Sequence, residues 1–260
     1  TTLFRSQRHI SPDARAQAVD VSGSMAVLSV MGPKSRELLQ SLTPADLSNA
    51  AFPFGTSQII DLGYARVRAS RITYVGELGW ELHLPTDCAV TVYEALMQAG
   101  TPHGLRNAGY RAIETLRLEK AYRAWGADIG PDHTPVEAGL TWACKLKTDT
   151  DFIGRAALET QLANGVKKRL ATFTVDDPEI ILLGRETIYR NGIRAGWLSS
   201  GGFGHSIGKP VGLGYVRSAE GVTDAYLTDA TYELEVASTR VPARLHLSPL
   251  VDPKGTRIKS

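Results

Sequence analysis

Two carboxylates stand among aromatics and glycines in Arg71-Ile-Thr-Tyr-Val-Gly-Glu-Leu-Gly-Trp-Glu-Leu82. Tyr74, Gly76, Gly79 and Trp80 let the backbone turn tightly beside flat rings. Glu77 and Glu81 lie next to those rings. A carboxylate accepts two N–H donors at once, and an aromatic face packs against a flat ring. The stretch therefore suits a flat heterocycle that carries paired donors. The plainer alternative is an exposed hairpin with scattered charges.

Other chemistry-bearing patterns are weaker. Asp128, His133 and Glu137 offer three ligand types, but no helical histidine pair accompanies them, so no metal site is expected. Asp128 and Glu137 are better read as acceptors of backbone N–H groups that fix their loop. Gly204-His-Ser-Ile-Gly208 matches a nucleophile elbow, which needs a strand before it and a helix after it. Lys209-Pro210 and the alternation beyond read as a strand, so the segment is a glycine-rich turn. Neither a Gly-x-Gly-x-x-Gly after a strand nor a Walker motif is found. Cys88 and Cys144 lack zinc-ligand spacing, and a reducing compartment fits them.

The elements that must position these residues follow from pattern. Residues 1–23 read as irregular. Met25–Met31 is a strand, and Gly32-Pro33 opens a helix over Ser35–Leu42. Gln58–Leu62 and Ala65–Arg71 form a hairpin about Gly63. The Tyr74–Leu82 stretch ends in a strand through Leu84. Pro85-Thr86-Asp87 starts a helix with Val92, Tyr93, Leu96 and Met97 as its core face. Gly109–Lys120 is amphipathic, with Ile113, Leu116 and Lys120 on one face and Arg111 and Glu114 to another side. A long loop from Trp125 leads to a strand at Trp142. A short helix from Phe152 ends near Gly165. Beyond it the period becomes two, with Asn191-Gly192 as a hairpin turn, which indicates a small antiparallel barrel or sandwich.

Several of these segments, taken together, carry a resemblance. The Tyr74–Glu81 stretch resembles the Gly-Tyr-Thr-Gly-Glu-x-Gly-x-Glu motif of the glycine-cleavage T-protein (aminomethyltransferase) superfamily, whose members bind tetrahydrofolate. Trp125–Trp142 resembles its Gly-x-Asp-Ile…Pro-x-Glu-x-x-Leu-x-Trp segment, and Ser200–Tyr215 its Ser-Gly…Ile-Gly-x-Gly-Tyr signature. Gly109–Lys120 is similar to the Tyr-Arg-Ala-Ile-x-Ser-Leu-x-x-Glu-Lys helix of sarcosine and dimethylglycine dehydrogenases. T-proteins proper carry a folate-contacting arginine where this chain has Ile113. The boundary segment Lys147–Gly154 lacks the cysteine of the tRNA-modifying branch.

The resemblance implies an α+β fold. A partial folate-binding α/β subdomain, 1–160, precedes a small antiparallel β-barrel, 161–260. It implies that Tyr74 and Trp142 flank the pterin, that Glu81 accepts its ring donors, and that Glu77 holds the turn. Arg111, one helical step from Ile113, is the candidate to attract the glutamate tail. The catalytic residues are unknown, because the family's site aspartate lies upstream of the Gly-Pro segment and before residue 1. The implied activity is tetrahydrofolate-dependent one-carbon transfer by the C-terminal portion of a sarcosine or dimethylglycine dehydrogenase-like enzyme. FAD and a small methylated amine would be held by a domain absent from this chain. The alternatives are a free-standing aminomethyltransferase and a non-catalytic folate-binding module.

Composition bounds the rest. The 260 residues are 43% hydrophobic and 22% charged, ordinary for one large or two medium globular domains. A net charge of +2 gives no electrostatic reason to expect nucleic acid. No apolar run is long enough for a bilayer and no signal peptide is evident, so no membrane partner and a cytoplasmic location are expected, or the mitochondrial matrix in a eukaryote. The oligomeric state is left open. The first residue is not Met, and the chain reads as a piece of something longer.

Overall fold

The structure is a computed structural model that describes residues 2–260. The chain forms two compact units. One comprises the chain up to Thr73, Glu77–Asn107 and Gly255–Ser260. The other comprises Tyr74–Gly76 and Ala108–Lys254.

The first unit begins with α1 (Thr2–Arg8), a correction to the irregular reading of this segment. It continues through β1 (Met25–Met31), α2 (Ser35–Gln40), β2 (Ser57–Leu62), β3 (Ala65–Ser70), β4 (Gly79–Pro85) and α3 (Ala89–Gly100). The strands form one antiparallel sheet in the order β1-β4-β3-β2. Alternation decides its faces, since successive side chains of a strand point to opposite sides. Trp80, Leu82 and Leu84 of β4 are buried with Val67 and Ala69 of β3. Leu38 and Leu39 of α2 and Val92 and Leu96 of α3 belong to the same core. Tyr93, expected in that core, is instead exposed, and its hydroxyl accepts from Asn107 Nδ2 at 2.8 Å.

The second unit contains α4 (Tyr110–Glu119), α5 (Arg155–Asn164), β5 (Lys168–Val175), β6 (Thr187–Arg190), β7 (Ile193–Gly204), β8 (Lys209–Arg217), α6 (Asp224–Thr228), β9 (Tyr232–Val236) and β10 (Thr239–His246). The six strands close into an antiparallel barrel, β10-β5-β8-β7-β6-β9. Closure leaves no strand edge unpaired. Asn191 and Gly192, at φ 49° and 77°, join β6 to β7 with the paired positive φ of a type I′ turn. Gly204–Gly208 links β7 to β8, strand to strand, as a turn and not an elbow.

Two expectations for this unit are corrected. The segment at Trp142 is a single 3-10 turn, Thr141–Ala143, and not a strand. The buried part of α4 is its C-terminal end, Arg117, Leu118 and Glu119 with the capping Lys120, while Ile113 and Leu116 are only half-buried. Charged groups thus occupy the inward positions, and each needs a partner.

Candidate functional site

α4 ends in a reversal that sets the second unit's polar centre. Ala121 N–H donates to Leu118 O and Tyr122 N–H to Arg117 O, both at 2.9 Å. These two bonds make a Schellman cap, in which the residue after the cap adopts the left-handed region that usually calls for glycine. Here that residue is Ala121, at φ 52°. The turn brings Tyr122 back beside Arg117.

The Arg117 side chain is 1% exposed and Asp128 is fully buried. Arg117 Nη1 donates to Asp128 Oδ2 at 2.6 Å and to Tyr122 O at 3.1 Å. Its Nη2 donates to Glu114 Oε2 and Ser200 Oγ, both at 2.8 Å. Asp128 also accepts Ala124 N–H at 2.9 Å and Ser200 Oγ–H at 2.8 Å, and Ser199 Oγ–H as well. Burial works against the charge of Arg117, but Asp128 and Glu114 outweigh it and hold its pKa above the ordinary arginine value. Two residues along the helix, Glu119 accepts Ser206 N–H at 2.6 Å and Ser206 Oγ–H at 2.8 Å, fixing the glycine-rich turn. Lys120 Nζ donates to Asp252 O at 2.6 Å.

Tyr74 stands on this frame. Its ring lies 6.1 Å from that of Tyr122 at an interplanar angle of 19°, and its hydroxyl donates to Arg123 O at 3.1 Å. Burial raises the phenol's pKa, while the nearby Arg117 charge opposes the rise. Gly76, at φ 77°, lets the chain turn here, and a Cβ at that position would overlap the Lys120 stem. Arg111 is exposed in the first turn of α4. Trp142 is 82% exposed and lines a cleft of about 380 Å³ with Val136, Gln161, Leu162, Arg169 and Val222. No hydrogen bond or ring contact joins Tyr74, Arg111 and Trp142 to one another among the described residues.

In the first unit, Glu81 lies on the sheet face opposite the core. Ser29 of β1 and Ser70 of β3 stand across from it. His83, two residues along the same face, approaches its carboxylate to 3.9 Å. Both side chains are half-buried, so Glu81 keeps acceptor capacity in reach of a ligand. Trp80, its neighbour, points the other way. It is fully buried, with the Arg36 and Arg71 guanidinium groups 5.5 and 5.6 Å from its ring. Glu77 pairs with Arg257 at 3.4 Å.

Asp128 and Glu137 both accept backbone N–H groups of their loop, Glu137 from Thr134 at 2.9 Å. His133 stacks on Tyr215 at 4.6 Å. Sequence reasoning missed Arg117, Tyr122 and the two barrel serines. The Glu114–Arg117 spacing is visible in the sequence as an i,i+3 pair, but the contacts with Asp128 and Ser200 join distant segments.

The GCVT N-terminal domain model matches residues 3–148, and the glycine cleavage T-protein C-terminal barrel domain model matches 168–252. The chain belongs to the glycine cleavage T-protein family. Mouse mitochondrial sarcosine dehydrogenase is 45% identical over 94% of this T-protein-family chain, which spans 27% of that relative's own length. Human mitochondrial dimethylglycine dehydrogenase is 37% identical over 92% of the chain, which again spans 27% of the relative. The glycine cleavage system aminomethyltransferase T from Bartonella henselae has the same fold. Its crystal structure aligns with a TM-score of 0.63 at 22% identity, covering 88% of this chain and 84% of the other. The expected α+β class and the antiparallel barrel are both present in this T-protein fold.

Proposed function

We propose that this chain is the tetrahydrofolate-binding C-terminal portion of a sarcosine or dimethylglycine dehydrogenase-like flavoenzyme, divided into a folate-binding region, 1–160, and a barrel, 161–260. The observation that carries the reading is the 45% identity to a sarcosine dehydrogenase along nearly the whole chain. Ile113 supports it, because the resemblance to T-proteins proper requires an arginine there.

Taken one by one, these residues offer chemistry that suits a reduced pterin. Glu81 is a half-buried carboxylate flanked by serines, with His83 3.9 Å from its carboxylate. It is suited to accept two ring N–H donors. Tyr74 presents a ring whose hydroxyl is already tied to a backbone carbonyl, so its orientation is fixed before a ligand arrives. Trp142 offers an exposed indole for stacking. Arg111 offers an exposed guanidinium for a ligand carboxylate. When bound, tetrahydrofolate supplies the nucleophilic nitrogens that take up a one-carbon unit from an N-methyl amine. FAD, which would oxidise that amine, belongs in this reading to residues outside the chain. The names of the mouse and human relatives support the mitochondrial alternative for a eukaryotic host. No helix among the described residues is long and apolar enough to cross a membrane.

Calorimetric titration of the purified chain with tetrahydrofolate tests the proposal. Glu81→Gln should weaken binding by roughly ten- to a hundredfold, since a hydrogen bond to a charged group contributes about 1.5–3 kcal/mol. An unchanged dissociation constant would remove Glu81 from the site. Binding without turnover by the full-length protein would favour the non-catalytic alternative.

A further inference from the structure

The geometry points to Arg117 and Asp128 as positioning residues for Tyr74, acting through Tyr122. This inference rests on the folate reading only for what Tyr74 is positioned to meet. All four residues belong to the second unit. The start of the Tyr122–Asp128 loop is tied to an ion pair whose carboxylate belongs to the loop's last residue. Arg117 Nη1 grips the Tyr122 carbonyl at 3.1 Å, and Asp128 Oδ2 grips the Ala124 amide at 2.9 Å. The two side chains meet at 2.6 Å with neither reaching solvent. Ser200 donates to Asp128 and accepts from Arg117, each at 2.8 Å, so the pair is bolted to β7 of the barrel. Tyr215 O–H adds a 3.0 Å bond to the Asp128 carbonyl.

What the clamp presents is a ring and a carbonyl. The Tyr122 ring backs Tyr74, and Arg123 O receives the Tyr74 hydroxyl. The ring contact and the hydroxyl's hydrogen bond thus both come from the clamped loop. A buried ion pair is an expensive way to gain stability, because desolvation offsets much of the attraction. It does fix orientation, as a guanidinium fork admits few geometries. Ala121 at φ 52° has the same sense: a strained residue is tolerated where the surrounding bonds determine the turn. Arg117 and Asp128 thus set the plane of Tyr74 without touching any ligand themselves.

The test uses the intact chain and two readouts. Tyrosine ring resonances are recorded by NMR, with Tyr74 assigned through its loss in Tyr74→Phe, and tetrahydrofolate affinity is measured by calorimetry. Arg117→Lys keeps the charge but loses the fork. It should shift the Tyr74 ring resonance and weaken binding by roughly tenfold, the scale of losing one aromatic stacking contact. Tyr122→Leu should do the same, and Tyr122→Phe should restore both signals. The Arg117→Lys, Tyr122→Leu double variant should be no worse than either single variant, because both break one path. Tyr215→Phe removes a bond to the same loop without touching Arg117 or Tyr122, so it should lower stability and leave Tyr74 in place. An unmoved Tyr74 ring in Arg117→Lys, or additive losses in the double variant, overturns the inference. Should Arg117→Lys fail to fold, Tyr122→Leu decides alone, and an unmoved ring there is equally fatal. A ring that moves in a chain that never binds tetrahydrofolate leaves the positioning standing and defeats the folate reading.

Discussion

Glu81 and Asp128 are both acidic, yet their surroundings assign them opposite kinds of consequence. Asp128 is fully buried and is the counter-charge of an arginine that is 1% exposed. Replacing it by Asn leaves Arg117 charged, dehydrated and beside a neutral amide. Breaking a buried pair from one side costs about 3–5 kcal/mol, and urea unfolding of Asp128→Asn should show a loss of that order. Glu81 is half-buried on the sheet face opposite the core, with His83 3.9 Å from its carboxylate. Glu81→Gln should therefore change stability by no more than about 0.5 kcal/mol while weakening the ligand. A Glu81→Gln chain that unfolds as readily as Asp128→Asn would show the carboxylate to be structural. The residue types alone point to Glu81, because a carboxylate beside aromatics suggests a ligand. They assign Asp128 only a loop-fixing role, because the arginine it neutralises is 11 positions away and the barrel serines more than 70.

Elements were legible where local pattern decides them and illegible where partners do. The alternation in β4 separates Glu81 and His83 from Trp80, Leu82 and Leu84 without reference to any other strand. Asn191-Gly192 fixes a turn by its own backbone preference. The segment at Trp142 reads as a strand, but among the described residues no strand pairs with it, and it closes as a 3-10 turn. The helix at Thr2–Arg8 has no sharp apolar face to announce it. On α4 the periodicity identifies the helix but not the burial of its C-terminal end, where Arg117, Glu119 and Lys120 meet Asp128, Ser206 and Asp252 of other segments. Gly76 is a case where an element depends on one packed stem. Gly76→Ala places a methyl group on the Lys120 side chain at a positive φ. Overpacking costs about 1–3 kcal/mol, and the left-handed backbone adds about 1–2 kcal/mol. Shortening Lys120 to Ala in the same chain should return the steric part and not the backbone part. A double-mutant cycle by urea unfolding measures this as a coupling, and strictly additive losses would mean that the two residues are not in contact.

At the scale of the whole molecule the distribution of titrating groups sets the response to acid. His133 and His246 both have pKa values below the ordinary histidine range, chiefly through burial, in the same barrel-containing unit. Around His133, Lys168 and Arg217 lower the value further while Glu137 and Asp132 oppose them. Around His246, Arg244 and Lys209 lower it, and Thr174 Oγ1 shares a 2.9 Å hydrogen bond with the ring. Burial thus favours the neutral form of both rings in the folded state. The unfolded chain binds protons at these histidines near pH 6.5, before the folded chain does. Stability contributed by the neutral rings is present above that pH and is lost as pH falls toward the folded values. The carboxylates with depressed values, Asp20, Asp46 and Asp176, act in a separate window, below the ordinary carboxylate pKa of 3.8. Urea midpoints should therefore fall between pH 7.5 and 5.5, where the carboxylates are silent. Among the described residues His133 Nδ1 has no hydrogen-bond partner, and the ring stacks on Tyr215, so His133→Phe keeps the packing. Combined with His246→Gln, which retains a polar group near Thr174, it should flatten the midpoint across that interval. If the double variant loses as much as the parent chain, the acid response originates elsewhere and the two buried rings are bystanders.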